Sequence, residues 1–151
     1  MSINIEDIRK LREQTGAGIV DCRQALEEAN GDMQKAKQYL LKKGLDKAAS
    51  KSDREVKAGL VEVYSHGGKV GVLVELLCET DFVAKLKDFK NLAHELCLQI
   101  ASMKPEAVAE LLKQEYIRDN TQTIDQLIKT VIGKVGENIQ VGRFERIALG
   151  E

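Results

Sequence analysis

The segment from residue 59 to residue 79 constrains the fold more than any other part of the chain. Residues 59–65 alternate between apolar and polar side chains, residues 66–69 read His-Gly-Gly-Lys, and residues 70–79 are almost continuously apolar. This pattern predicts a β-hairpin with a glycine turn. In its second strand Leu73 and Leu77 lie on one face, and the other face carries Val70, Val72, Val74, Leu76 and Cys78. Because one layer of helices covers only one face, the second face is expected to meet another apolar surface.

Three helices are expected after the hairpin. Apolar residues at helical spacing predict the first helix over residues 89–103, and the only proline, Pro105, fits the first turn of a second helix whose apolar side includes Tyr116. The sequence Thr-Ile-Asp-Gln at residues 123–126 has the spacing of a capping box, so a third helix is expected to begin there and to end at Gly136. These helices are predicted to pack on the hairpin.

The tail of the chain, residues 138–149, is predicted to return to the hairpin as a third strand. Phe144 falls on one face of this strand, and the opposite face carries Ile139, Val141, Ile147 and Leu149. Gly142 is a position where the strand can form a β-bulge. The alternation places Phe144 beside Leu73 and Leu77, on the face that the helices leave open.

The beginning of the chain predicts three short amphipathic helices. Asn4 is placed to cap the first helix, and Gly16 and Gly18 form the corner that leads to the second. The apolar stripe of the second helix, which is expected to face the core of the bundle, consists of Ile19, Cys22, Leu26 and Ala29. Asp32 is placed to cap a third helix, which is expected to close at Gly44. We therefore expect a compact three-helix bundle over residues 1–44.

The hydrophobic period disappears between residues 45 and 58, and this polar, mostly basic stretch is predicted to be a linker. The predicted fold class is therefore α+β. It consists of the bundle over residues 1–44, the linker over residues 45–58, and a core domain over residues 59–151 that is a three-stranded antiparallel sheet packed with helices.

The charge of the chain argues against nucleic acid as a direct partner. The 23 basic and 24 acidic side chains give a formal net charge of −1, and no aromatic residues interleave with the basic stretch. No apolar run approaches the roughly 20 residues that span a membrane, and no signal peptide is visible at the start. We expect a cytoplasmic protein without membrane contact.

Catalytic and metal-binding chemistry is not expected either. Cys22, Cys78 and Cys97 are widely spaced without a Cys-x-x-Cys pair, and all three fall on apolar faces, which is typical of buried small side chains. His94 and Cys97 are three residues apart on one predicted helix, but no acid or oxyanion donor accompanies them. The sequence therefore predicts no catalytic residue, no metal, no cofactor and no enzyme activity.

Phe82 does not fit the pattern of the core. It stands in the connection over residues 80–87 between the apolar strand and the following helix, preceded by an acid and followed by a valine. A side chain of this size in such a connection fills either the core of its own domain or a pocket of a partner. Its position alone leaves both interpretations open.

Three separated segments resemble the elongation factor Ts family. The first is residues 11–26, followed by Asn30-Gly31-Asp32. The second is Glu79-Thr80-Asp81-Phe82-Val83-Ala84, and the third is residues 133–139, Gly-Lys-Val-Gly-Glu-Asn-Ile, which run into Arg143-Phe144. Together they extend over the whole chain in the order of the family, which is more specific than any one motif.

The resemblance implies both a fold and a function. In that family an amino-terminal three-helix module, similar to ubiquitin-associated domains, is joined to a core of antiparallel sheet backed by helices. Its members are guanine nucleotide exchange factors for the GTPase elongation factor Tu. The Thr-Asp-Phe-Val segment, here Thr80 to Val83, inserts into the GTPase domain and disturbs the magnesium and phosphate site, so that GDP leaves. For this chain the resemblance assigns the insertion to Asp81 and Phe82, with apolar contact from Val83.

The resemblance also implies a second contact and a second subunit. Arg12 and the corner from Gly16 to Gly18 are expected to dock on the same GTPase. Longer members carry two related core subdomains where this chain has one, and short members pair two chains, so Leu73, Leu77 and Phe144 are the expected homodimer interface. The alternative function is a non-catalytic dimeric binding adaptor that carries a module similar to ubiquitin-associated domains.

Overall fold

The computed structural model describes residues 2–151 and divides the chain into two compact units, Met1–Lys47 and Ala48–Glu151. The helices that come first are α1 (Ile5–Thr15), α2 (Ile19–Glu28) and α3 (Met33–Lys51). They are followed by β1 (Ala58–His66), β2 (Val70–Cys78), α4 (Asp81–Ala84), α5 (Lys87–Met103), α6 (Val108–Lys113), β3 (Glu115–Tyr116), β4 (Asp119–Thr123), α7 (Ile124–Val135) and β5 (Ile139–Ala148). Within residues 2–151 no helix is long and apolar enough to cross a membrane.

Cap residues set the limits of the first helices as predicted. The Asn4 side-chain oxygen accepts a hydrogen bond from the Glu6 N–H at 3.0 Å, and the Asp32 carboxylate accepts one from the Gln34 N–H at 2.9 Å. Helix α1 ends at Gly16, which has a left-handed conformation with φ 73°. The core of this unit consists of Leu11, Cys22, Ala25, Leu26, Ala29 and Ala36. The predicted amino-terminal helical region is thus confirmed.

Two details of this region were predicted wrongly. Helix α3 does not end at Gly44 but continues to Lys51, so residues 45–51, which were expected to belong to the linker, are helical. One glycine inside a helix costs only about 1 kcal/mol, and the residues that follow include good helix formers, among them Ala48, which is buried in the core of the second unit. Ile19, which was expected in the core of the first unit, is exposed.

The second unit is built on an antiparallel sheet in the order β1-β2-β5, as predicted. At the turn between β1 and β2, Gly67 and Gly68 have φ angles of 60° and 72°. The Lys69 N–H donates to the His66 carbonyl at 3.1 Å and closes the turn. Two consecutive positive φ angles give a turn whose twist matches that of the paired strands, and this favours glycine at both positions.

Helices cover one face of the sheet, here called the inner face. Helix α5 packs on β1 and β2, and α7 packs on α5 and β5. The inner face of β2 is fully buried against them through Val72, Val74, Leu76 and Cys78. The predicted capping box of α7 is confirmed, because the Thr123 hydroxyl accepts from the Gln126 N–H at 3.2 Å and the Gln126 side-chain oxygen accepts from the Thr123 N–H at 2.9 Å.

The connection between α5 and α7 differs from the predicted second helix. Helix α6 begins only at Val108, so Pro105 lies before it rather than in its first turn. Tyr116 is not on this helix but in β3, which pairs with β4 in a separate two-stranded sheet that was not predicted. The buried Gln99 side chain explains the change. Its amide nitrogen donates to the Glu115 carbonyl at 3.0 Å, and its amide oxygen accepts from the Ile117 N–H at 3.0 Å, so the stretch that includes β3 is held extended.

A β-bulge reverses the phase of the last strand. Opposite the single residue Glu75 of β2, strand β5 has two residues, Gly142 and Arg143. Phe144 therefore pairs with Val74 and packs on the inner face, so the prediction that placed it on the other, outer face is wrong. Ile147, which was predicted to face inward, is exposed on the outer face for the same reason.

Candidate functional site

Thr80 to Val83, in the predicted connection between the strand and the following helix, form the beginning of a helical turn. Thr80 is extended, with φ −132°, and its side-chain oxygen accepts a hydrogen bond from the Val83 N–H at 3.4 Å. It therefore acts as the N-cap of α4, which is separated from the end of β2 only by Glu79 and Thr80. The segment is short because Lys85 ends it and α5 begins two residues later.

The side chains of this turn point in different directions. Phe82 is 74% exposed, which excludes the interpretation of Phe82 as a core residue. Val83 is 2% exposed and Ala84 is buried beside it in the core of the second unit. Val83 was expected to contact the partner, but in this structure it anchors the turn instead. One helical turn thus holds an aromatic ring in water by burying the two residues that follow it.

Glu137 connects the turn to the end of α7. One carboxylate oxygen accepts from the Thr80 N–H at 3.0 Å, and the other accepts from the Thr80 hydroxyl at 2.7 Å. Such hydrogen bonds to an ionised acceptor are shorter and stronger than neutral ones. Sequence reasoning included Glu137 in the third family segment but gave it no role. The available signal was its position directly after Gly136, the predicted end of α7.

Three carboxylates lie around the start of the turn that carries Phe82. Asp81 is exposed and Glu137 is half-buried. Glu79 lies one residue before the N-cap Thr80, with 17% of its side chain exposed. The Arg54 guanidinium is 3.7 Å from one oxygen of Glu79, which is an ion pair but too long for a hydrogen bond. Within the described part of the chain that buried oxygen has no hydrogen-bond partner. The exposed Lys85 lies at the other end of the turn, so the segment that carries Phe82 has acidic side chains at its start and a basic one at its end.

Groups that perform covalent chemistry are not found beside the ring. The Cys78 thiol donates to the Thr80 carbonyl at 3.2 Å, and burial, reinforced by the nearby Glu137 charge, raises the pKa of Cys78. A raised pKa keeps this thiol protonated and unreactive. Among residues 2–151 there is no group of three or more His, Cys, Asp or Glu side chains placed to hold a metal ion.

The residues predicted for secondary docking lie on the first unit. Arg12 is exposed, its side chain makes no ion pair within residues 2–151, and its carbonyl accepts from the Gly16 N–H at 2.8 Å. Gly18 precedes α2, whose first two residues, Ile19 and Val20, are both exposed. Sequence reasoning missed this apolar pair because it assigned Ile19 to the core.

Within residues 48–151 the outer face of the sheet carries exposed apolar side chains together with Glu145, which pairs with Leu73, and the Glu75–Arg143 ion pair. Leu73 is exposed and Leu77 is half-buried, as expected for residues on the face without helices. They lie with Val61, Val63 and Ile147, which are also exposed. Strand pairing places Val63 directly opposite Leu73. Phe144, the third residue predicted for this face, is absent from it because of the bulge.

Comparison with known proteins gives the family. Elongation factor Ts of Coprothermobacter proteolyticus is 42% identical over an alignment of 197 positions that covers 100% of both chains. This chain belongs to the elongation factor Ts family. Elongation factor Ts of Fervidobacterium nodosum is 40% identical, with 100% of both chains covered, and that of Thermotoga maritima is 41% identical, with 100% of this chain and 98% of the relative covered. A sequence model of the family, described as elongation factor Ts, matches residues 79–151.

The alignments also show a difference in length within the elongation factor Ts family. They extend over 197 or 195 positions, whereas this chain has 151 residues, so dozens of positions are gaps on its side. The matched region nevertheless includes the Thr80–Glu137 contact and the whole of β5. These relatives thus carry dozens of residues that have no counterpart in this chain.

Proposed function

We propose that this protein is a guanine nucleotide exchange factor for elongation factor Tu and acts during translation elongation in the cytoplasm. The observation that carries the proposal is Phe82, a large apolar ring that is 74% exposed on a turn fixed from both sides. A protein gains nothing for its own stability from such a ring in water. Its placement is explained when a partner supplies the pocket. Membership in the elongation factor Ts family identifies elongation factor Tu as that partner.

Exchange requires no bond making, only binding energy that differs between two states of the GTPase. If Phe82 fits a pocket that opens when the magnesium or phosphate ligands shift, it binds the GDP-free state more tightly than the GDP-bound state. By linkage the factor then weakens GDP, and GDP weakens the factor to the same extent. Full burial of a phenylalanine side chain contributes about 2 to 3 kcal/mol, which corresponds to roughly a hundredfold change in affinity.

Asp81 directs the insertion. It precedes Phe82 in the first turn of α4 and is exposed, so its carboxylate is free to accept a hydrogen bond from the GTPase. A negative charge brought towards the nucleotide site repels the phosphates of GDP. It also competes with the magnesium ligands for the magnesium ion. Thr80 and Val83 contribute by holding the turn, through its cap and its burial.

The first unit provides a separate docking contact. This unit, Met1–Lys47, acts as the docking module, with Arg12, Gly16 and Gly18 at its contact surface. The exposed pair Ile19 and Val20 adds apolar area directly beside Gly18. A second contact on the same GTPase raises the effective concentration of the Phe82 turn without touching the nucleotide site.

The working form is a homodimer that buries the outer face of the sheet against a second copy. Leu73 and Leu77 lie at its centre, and the exposed Val61, Val63 and Ile147 extend the apolar area. Two such sheets can pack face to face at about 10 Å, and a stable pairing buries about 1,200 to 2,000 Å² in total. A second copy fits this face better than a charged partner, because it offers the same apolar surface in return.

The rate of release of fluorescent GDP from elongation factor Tu tests the proposal. Wild-type protein is expected to accelerate release, and Phe82→Ala is expected to lose most of the acceleration while keeping the wild-type melting temperature. Ile117→Ala is the matched control, because Ile117 is a partly exposed apolar residue of the same unit outside the proposed site. If wild-type protein binds the GTPase without accelerating release, the protein is a binding adaptor and not an exchange factor. A large drop in melting temperature for Phe82→Ala would show that the ring is structural.

A further inference from the structure

Glu137 determines which way the Thr80 hydroxyl points. A hydroxyl has one hydrogen and two lone pairs, whereas an ionised carboxylate only accepts. The Thr80 hydrogen is therefore directed to Glu137, at 2.7 Å, and a lone pair remains for the Val83 N–H at 3.4 Å. The second carboxylate oxygen takes the Thr80 N–H at 3.0 Å. One side chain thus fixes both donors of the residue that caps α4.

The backbone that carries Glu137 is itself held on both sides. Gly136 ends α7, and its N–H donates to the Ile132 carbonyl at 2.8 Å. Asn138 is buried, and its side-chain amide donates to the carbonyls of Ser52 and Arg54 at 3.4 Å and 2.8 Å. The carboxylate is therefore presented to Thr80 from a fixed turn rather than from a free loop.

Helix α4 depends on contacts of this kind. It has four residues, and a helix of this length does not persist in water by its own hydrogen bonds. Its order comes from the burial of Val83 and Ala84 on one side and from the Thr80 cap on the other. If the cap is loosened, Phe82 samples several orientations and the fraction of molecules in the inserting orientation falls.

From these contacts we infer that Glu137 is a positioning residue for nucleotide exchange, which acts through Thr80 on the orientation of Phe82 and does not itself touch the GTPase. This inference rests on the proposed exchange function. It assigns the rate of exchange to a contact between residues that are 57 positions apart in sequence. It also separates Glu137 from Asp81, whose carboxylate faces the partner.

The test is GDP release from elongation factor Tu with the full chain carrying Glu137→Ala, Phe82→Ala or both. We expect Glu137→Ala to slow stimulated release by about tenfold or more, as expected for the loss of hydrogen bonds to a charged group. In the Phe82→Ala background, Glu137→Ala is expected to have no further effect, because there is no ring left to position. Glu106→Ala is the matched control: it removes an equal charge from an exposed position of the same unit, and wild-type rates are expected.

Comparison of Glu137→Ala in the wild-type protein and in Phe82→Ala distinguishes positioning of the ring from direct contact of Glu137 with the GTPase. Equal fold losses from Glu137→Ala with and without Phe82 would mean that Glu137 acts independently of the ring, and the inference would be overturned. Wild-type rates for Glu137→Ala would overturn it as well. If wild-type protein itself fails to accelerate GDP release, the proposed exchange function is wrong. Hydrogen exchange of the Thr80 and Val83 amides then still shows whether Glu137 holds the turn.

A second variant and a physical measurement complete the test. Thr80→Val removes the hydroxyl and keeps the carboxylate, and it is expected to slow exchange even if Glu137→Ala does not fold. Hydrogen exchange of the Thr80 and Val83 amides is expected to accelerate in Glu137→Ala while amides of β2 keep their wild-type protection. Unchanged protection at Thr80 and Val83 would show that the carboxylate does not hold the turn.

Discussion

Leu73→Asp tests whether the outer face of the sheet is buried between two copies of the chain. Leu73 is 46% exposed, and its neighbours Val61, Val63 and Ile147 are 61%, 64% and 76% exposed. Full burial of such side chains contributes about 1.5 to 3 kcal/mol each, so covering the exposed fractions in two copies supplies roughly 7 to 15 kcal/mol. Association costs roughly 4 to 15 kcal/mol, so the balance is narrow and one change at the centre is enough to reverse it.

The expected effect of Leu73→Asp is large because it acts twice in a symmetric contact. Each copy loses about 1 kcal/mol of apolar burial and gains a carboxylate whose desolvation costs several kcal/mol. The dissociation constant is therefore expected to rise by about a thousandfold or more, which corresponds to about 4 kcal/mol. GDP exchange is expected to slow together with the loss of the dimer.

Sedimentation equilibrium at micromolar concentration measures this directly. Wild-type protein should sediment with twice the chain mass of 16.8 kDa, and Leu73→Asp with the mass of one chain. Met103→Asp is the matched control, because Met103 is 49% exposed on α5, which packs on the inner face. A wild-type protein that sediments as a monomer with full exchange activity refutes the reasoning, and so does a Leu73→Asp variant that remains a dimer.

Three further predictions concern stability and reactivity. Gly59→Ala is expected to lower the free energy of unfolding by about 2 kcal/mol or more, because Gly59 has φ 149° and a β-carbon there would collide with the β2 backbone. Gly71→Ala is the control and should cost far less, because a β-carbon at Gly71 meets open space. Equal melting temperatures of the two variants would contradict this prediction. The Lys43 ammonium, 2.9 Å from Asp21, lowers the pKa of that carboxyl in the folded protein. Asp21→Asn should therefore lower the free energy of unfolding, measured in urea at neutral pH, by about 1 kcal/mol. This difference should disappear as the pH falls below about 3.9, the pKa of Asp in the unfolded chain, and through the lower pKa of Asp21 in the folded protein. Burial raises the pKa of Cys97 to about 12, so a thiol reagent at pH 8 should modify it only after unfolding, and rapid labelling of the folded protein would disprove its burial.

Features that depend on neighbouring residues could be predicted from the sequence. The hairpin follows from alternation and a Gly-Gly turn, and the start of α7 follows from a capping box, because these signals lie within a few residues of one another. The separation of Leu73 from Val72 and Val74 follows from the two-residue period of a strand. Such local signals also placed the third strand correctly on β2.

Features that depend on distant contacts could not be predicted. The position of the bulge opposite Glu75 determines which residues of β5 face the helices. Because of it, Phe144 lies on the inner face and Ile147 on the outer face. The extension of α3 past Gly44 depends on the burial of Ala48 in a core whose other residues come later in the chain. The sequence pointed to Phe82 as an anomaly, and the family resemblance gave it a role. The residue that holds its turn, Glu137, became visible only in three dimensions.

The sheet order has a consequence for synthesis of the chain. Strand β2 is central, but its second neighbour β5 is made only after α5, α6 and α7, and Glu137 lies just before it. A chain that emerges from the ribosome amino terminus first can form the hairpin and bury part of α5 while Thr80 still lacks its partner. The contact that holds the Phe82 turn can therefore form only when α7 and Glu137 have left the ribosome. A chain built in this way cannot hold the Phe82 turn through Thr80 before Glu137 has been made.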